Sequence, residues 1–135
     1  MNFQVKEAQR SGAKFKTYSD QPHFFILIYQ NNLNIADSLS GALEQYLQQN
    51  YSDKKLNVGN LTFNDRLSLL LVNKFENKND ALAFLTTFEH TEPLKDLLKD
   101  SKYEIFVITE DNFEILYKTK RLDNYLTFFN HYYKQ

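Results

Sequence analysis

The residues best equipped for chemistry lie near the end of the chain, in the stretch NYLTFFNHYY over 124–133, where five aromatic rings and a histidine fall within ten positions. Such rings can stack on a base, a sugar or a lipid surface. They can equally be the buried stripe of a last helix. At 100° per residue, Leu122, Tyr125, Leu126, Phe129, Tyr132 and Tyr133 fall within about 120° of arc, the width of a core-facing stripe, and His131 falls on the opposite side. Burying six such side chains offers on the order of 10 kcal/mol gross, so the stripe is read as core. Phe128 sits at its edge, and Phe128 with Tyr125 and Tyr132 is expected to form a half-exposed rim.

The other reactive side chains give weaker patterns. His23, His90 and His131 share no metal-ligand spacing and are read as isolated polar or surface histidines, so no metal site is expected. Glu110 and Asp111 are explained by the positive end of a helix dipole rather than as an acid–base pair. The segment QNNLNIADS over 30–38 has neither the glycine nor the arginine that a phosphate-holding loop needs. SLLLVNKF over 68–75 lacks the basic-Gly-aromatic pattern of an RNA-binding strand. No catalytic residue and no cofactor is expected. What remains is the basic junction YKTKR over 117–121, and Tyr117, Lys118, Lys120 and Arg121, with Phe128, are the candidate partner-binding residues.

Composition narrows the class. Sixteen Lys plus Arg against 17 Asp plus Glu give a net charge of −1, which supplies no field to attract nucleic acid or an anionic membrane. The chain has no cysteine, so disulfides, thiolate catalysis and Cys-based zinc sites are excluded while the redox compartment stays open. With 135 residues, 42% hydrophobic, 3 Gly and 2 Pro, it reads as one ordered domain. The longest apolar run, FFILIY over 24–29, is far too short to span a bilayer, and the first residues lack the apolar core of a signal peptide.

Periodicity places the elements. Residues 1–21 are polar, weakly periodic and end at Pro22, and read as a linker or N-terminal arm before a single domain over 22–135. HFFILIYQ reads as a strand buried on both faces, and Ile35, Leu39, Ala42, Leu43, Tyr46 and Leu47 mark a helix. KLNVGNLTF and RLSLLLVNKF form a hairpin around Asn64-Asp65, the second strand again apolar on both faces. Asn77 caps a helix carrying Ala81, Phe84, Leu85 and Phe88, broken near His90-Thr91 and continued after Pro93. KYEIFVIT is the fourth strand, and Thr109 caps the first of two C-terminal helices. The order βαββαβ is that of a ferredoxin-like α+β sandwich. Two central strands apolar on both faces would leave one sheet face bare in that fold, so the two extra helices are expected to cover it.

In order and spacing, PHFFILIY, RLSLLLVNKFENKNDALAFL and YEIFVITEDNFEILYKTKRLDNYLTFFNHYY resemble the C-terminal domain of the SprE/PorW family, large tetratricopeptide-repeat lipoproteins of Bacteroidota associated with type IX protein secretion and gliding motility. The likeness covers Pro22 to the end. It implies a non-catalytic interaction or assembly module in the periplasm, tethered to the outer membrane only through its parent lipoprotein, with a protein of the secretion or motility machinery as partner. The lack of helical repeats and of a lipidation cysteine fits a C-terminal piece of such a parent. VNKFENKNDALAFL also resembles SPOR domains, which implies peptidoglycan as the alternative partner, bound on an open sheet face.

Overall fold

The computed structural model describes residues 15–17, 20–99 and 101–134. Most of the arm expected over 1–21 lies outside the described residues. The elements are β1 (His23–Gln30), a 3-10 turn (Asn31–Leu33), α1 (Ala36–Asn50), β2 (Asn57–Thr62), β3 (Leu67–Phe75), α2 (Lys78–Thr91), a short α3 (Lys95–Leu98), β4 (Tyr103–Thr109), α4 (Glu110–Thr119) and α5 (Leu122–Tyr132). The strands form one antiparallel sheet in the order β2-β3-β1-β4. This is the ferredoxin-like βαββαβ arrangement followed by two further helices.

Local chemistry sets the boundaries. Asn77 caps α2 by accepting from the Asp80 N–H at 2.9 Å, and Thr109 caps α4 by accepting from the Asn112 N–H at 3.2 Å. The β2–β3 turn is held by the Asn64 Oδ1, which accepts from the Arg66 and Leu67 N–H groups at 2.8 and 2.9 Å. Helix α2 stops where Glu92 turns into the left-handed region at φ 45°, ahead of Pro93.

Side-chain alternation along β1 divides the core. Phe25, Leu27 and Tyr29 share one face, and the Phe25 ring lies 4.9 Å from both Phe84 and Phe88 of α2. Phe24, Ile26 and Ile28 share the other, where Phe24 meets Phe113 of α4 at 5.9 Å. Phe106 is in register with Ile26 and packs against Tyr125 and Phe129 of α5 at 5.2 and 6.3 Å. The C-terminal helices therefore cover the second face, and Ile26, Leu69, Leu70 and Val72 in the central strands are all 0% exposed.

Helix α5 also reaches the sheet edge. The bonded pair Asn31–Arg66 fixes the alternation of the β1–β3 ladder, so even-numbered β1 residues bond β4 and the Val107 main chain points outward. The Tyr125 hydroxyl donates to that Val107 carbonyl at 2.6 Å. Tyr125 is 0% exposed, so it belongs to the core and not to the rim expected from helical phase. Tyr132, 48% exposed, falls off the buried stripe, while Phe129 and Tyr133 are buried and His131 faces outward as expected.

Tyr125→Phe keeps the ring and leaves the edge carbonyl unbonded; by urea denaturation it is expected to lower stability by about 0.5–1.5 kcal/mol. Tyr125→Ala also opens a cavity and is expected to cost about 3–5 kcal/mol. Equal losses in the two variants would show that the hydroxyl, not the ring, carries the contact.

Candidate functional site

The α4–α5 junction contains four of the five candidate residues, and the fold gives them unequal roles. Lys120 ends α4 in the left-handed region at φ 59°, its N–H bonded to the Leu116 carbonyl at 2.7 Å. This conformation turns its side chain back over α4, where Nζ lies 3.5 Å from the Tyr117 ring centroid and 4.8 Å from that of Phe63. Partial burial lowers the Lys120 pKa from its ordinary value. The Tyr117 hydroxyl donates to the Thr62 carbonyl at 2.7 Å, and its ring meets Phe63 at 6.3 Å and Phe113 at 5.8 Å. Tyr117, Lys120 and Phe63 thus form a clamp between the helical hairpin and the β2–β3 turn. Lys118 and Arg121 project into solvent beside it.

Phe128 belongs to a different cluster. It is half-buried on α5 among Phe15, Tyr125, Tyr132 and Tyr133, with ring centroids at 5.7, 5.6, 4.7 and 6.3 Å. No ring or cation contact joins it to the Tyr117 clamp among the described residues. The five candidates therefore divide into a clamp of Tyr117 and Lys120, an exposed basic pair of Lys118 and Arg121, and a separate aromatic rim at Phe128.

Three long-range ties have no pattern in the sequence that would announce them. Asn112, 0% exposed, accepts from the Lys16 N–H at 3.0 Å and donates from Nδ2 to the Lys16 carbonyl at 2.7 Å. That double bond to the backbone docks 15–17 on α4, and Phe15 meets Tyr125 at 4.9 Å. The compact unit thus includes residues before Pro22. His23 is 0% exposed, which corrects its reading as an isolated or surface histidine. Its Nδ1 lies 2.7 Å from the Gln21 carbonyl and must donate to it, so Nε2 accepts from the Tyr133 hydroxyl at 2.9 Å. His90 and His131 are exposed as expected. The third tie runs from Asn60, which accepts from the Tyr29 hydroxyl at 3.2 Å and donates to the Ala36 carbonyl and Ser40 hydroxyl at 3.1 and 2.9 Å.

Burial shapes the titration of the His23 pair. Desolvation lowers the His23 pKa from 6.5, against its bond to Gln21, and the nearby Lys78 charge lowers it further. The Tyr133 hydroxyl is pushed up to about 12 by burial. No buried side-chain nitrogen or oxygen lacks a hydrogen-bond partner among the described residues. Nor do the described residues contain a group of three or more acidic or histidine side chains placed to hold a metal, or a helix long and apolar enough to cross a membrane.

These features define a ferredoxin-like α+β domain, closed on its second sheet face by two C-terminal helices and tied internally by buried polar contacts. The chain has no significant match to a protein-family model, a curated protein or a solved structure.

Two measurements test these ties. The fold favours neutral His23, so its contribution is complete above the unfolded-state pKa of 6.5 and is lost as pH falls from there toward the lower folded-state value. The urea midpoint is expected to drop between pH 7.5 and pH 5, and His23→Gln is expected to flatten that dependence. Lys120→Gln removes the cation over two rings and is expected to cost about 0.5–1 kcal/mol; an unchanged midpoint would show that the clamp is only a contact of convenience.

Proposed function

We propose that this domain is a non-catalytic interaction and assembly module, working in the setting that its resemblance to the SprE/PorW family implies. That setting is the periplasm, with tethering to the outer membrane through a parent lipoprotein of type IX secretion and gliding motility. One observation supports the module reading above others: His23, Asn60, Asn112, Tyr117, Tyr125 and Tyr133 all use their polar atoms to join elements of the fold. Asn112 and Tyr117 border a shallow concavity with Lys16, Asp111, Glu114 and Lys118, and within it their own polar atoms are engaged by the Lys16 backbone and the Thr62 carbonyl. Among the groups open to a partner are the exposed Lys118 and Arg121 and the partly exposed rings of Tyr132, Tyr117 and Tyr103.

The peptidoglycan alternative needs an open sheet face, and helices α4 and α5 occupy the face that the two crossover helices leave free. This arrangement favours a protein partner over a glycan. Affinity capture from periplasmic extract of a gliding bacterium is expected to recover a protein of the secretion system, and Lys118→Ala with Arg121→Ala is expected to reduce that recovery several-fold while leaving the melting temperature unchanged. Recovery of no secretion-system protein would overturn the reading. In co-sedimentation with purified peptidoglycan the domain is expected to stay in the supernatant, and pelleting would favour the alternative.

A further inference from the structure

The two edges of the sheet differ in how deeply they are covered: Val107 of β4 is 0% exposed, whereas Asn60, Leu61 and Thr62 of β2 are exposed. At β4 the outward carbonyl of Val107 is bonded by Tyr125. At β2 the bond from the Phe63 N–H to the Leu67 carbonyl, at 2.9 Å, makes Phe63 and Leu67 a bonded pair. Alternation in the β2–β3 register then turns the main-chain groups of Val58, Asn60 and Thr62 away from the sheet. Of these, only the Thr62 carbonyl has a partner among the described residues, the Tyr117 hydroxyl, and a carbonyl can accept a second bond. The strand NVGNLT contains no charge, no proline and no register shift, the usual devices that keep an open edge from pairing.

We infer that β2 pairs antiparallel with β2 of a second copy of this chain, about a two-fold axis at Asn60, joining two four-stranded sheets into one of eight strands. The edge is self-complementary in that register. Asn60 opposes Asn60 of the second copy and Val58 opposes Thr62, so every outward donor meets an outward acceptor. On the face away from α1, Leu61 opposes Gly59. Leu61 is 40% exposed, one of the few large apolar side chains left in solvent, and Gly59 offers a gap, its nearest Cβ-side neighbour being Leu71 at 4.0 Å. A net charge of −1 per chain adds little repulsion.

The chain has no cysteine, so introduced thiols report the register directly. In a pair not bonded to each other, opposed Cα atoms lie about 4.5 Å apart, within the span a disulfide bridges. Gly59→Cys with Leu61→Cys in one chain is therefore expected to cross-link to a covalent dimer under mild oxidation, while either single variant, whose thiol faces a native residue, is expected not to. Sedimentation equilibrium of the unmodified chain is expected to show a concentration-dependent dimer. Leu61→Lys should raise the dimer Kd at least about tenfold through edge charge, with no change in melting temperature at concentrations where both chains are monomeric. A monomer at all concentrations overturns the proposal, as does cross-linking of the single variants to the same extent. Protection of β2 amides only on addition of a different extended peptide would assign the edge to that peptide instead.

Discussion

The structure depends on one constraint: its two central strands are apolar on both faces, so neither face of the sheet can meet water. Ile26, Leu27, Leu69, Leu70 and Val72 are all 0% exposed, although alternate residues point to opposite sides. Exposing either set would cost roughly 25 cal/mol for each Å² of apolar surface. Helices α1 and α2 cover one face through the crossovers of the basic fold. Helices α4 and α5 are required by the other, and Phe113, Tyr125 and Phe129 are the rings that meet it.

Placing a third layer on the sheet brings polar groups into the interior, and each is matched there. An unpaired buried donor or acceptor costs about 1–3 kcal/mol, which explains why the hydroxyls of Tyr125 and Tyr133 each reach a specific acceptor on another element. The same need gives Asn112 its two bonds to Lys16, so a side chain stands in for a strand neighbour and fastens the segment ahead of β1. Polar residues in this domain therefore act as fasteners between layers.

Much of the fold was legible because it rests on periodicity and caps. The double-sided apolar runs marked the central strands, Asn64 marked the hairpin, and Asn77 and Thr109 stood at the helix starts where their side chains now cap. Helical phase separated Phe129 and Tyr133 from His131. It put Tyr125 and Tyr132 on the same stripe and the same rim, yet Tyr125 is buried and Tyr132 is exposed, because phase gives the direction of a side chain but not what lies in that direction. Docked Phe15 and edge strand β4 enclose Tyr125, whereas among the described residues Tyr132 meets only the rings of its own helix at Phe128 and His131. The junction residues divided for a similar reason: the left-handed turn at Lys120 returns its side chain to Tyr117 and Phe63, a ring contributed from 54 positions away in sequence to Tyr117.

By itself the sequence determined the elements, their order, the α+β class and the need for a cover on the second sheet face, since all of these follow from local pattern and from the cost of wetting apolar surface. Tertiary structure alone decided which polar side chains meet. His23 lies 110 residues from Tyr133 and Asn112 lies 96 from Lys16, and no local rule links such positions. It also decided which main-chain groups of each edge strand face outward, because the direction of each group follows from pairing register, and register exists only once strands from distant parts of the chain have come together.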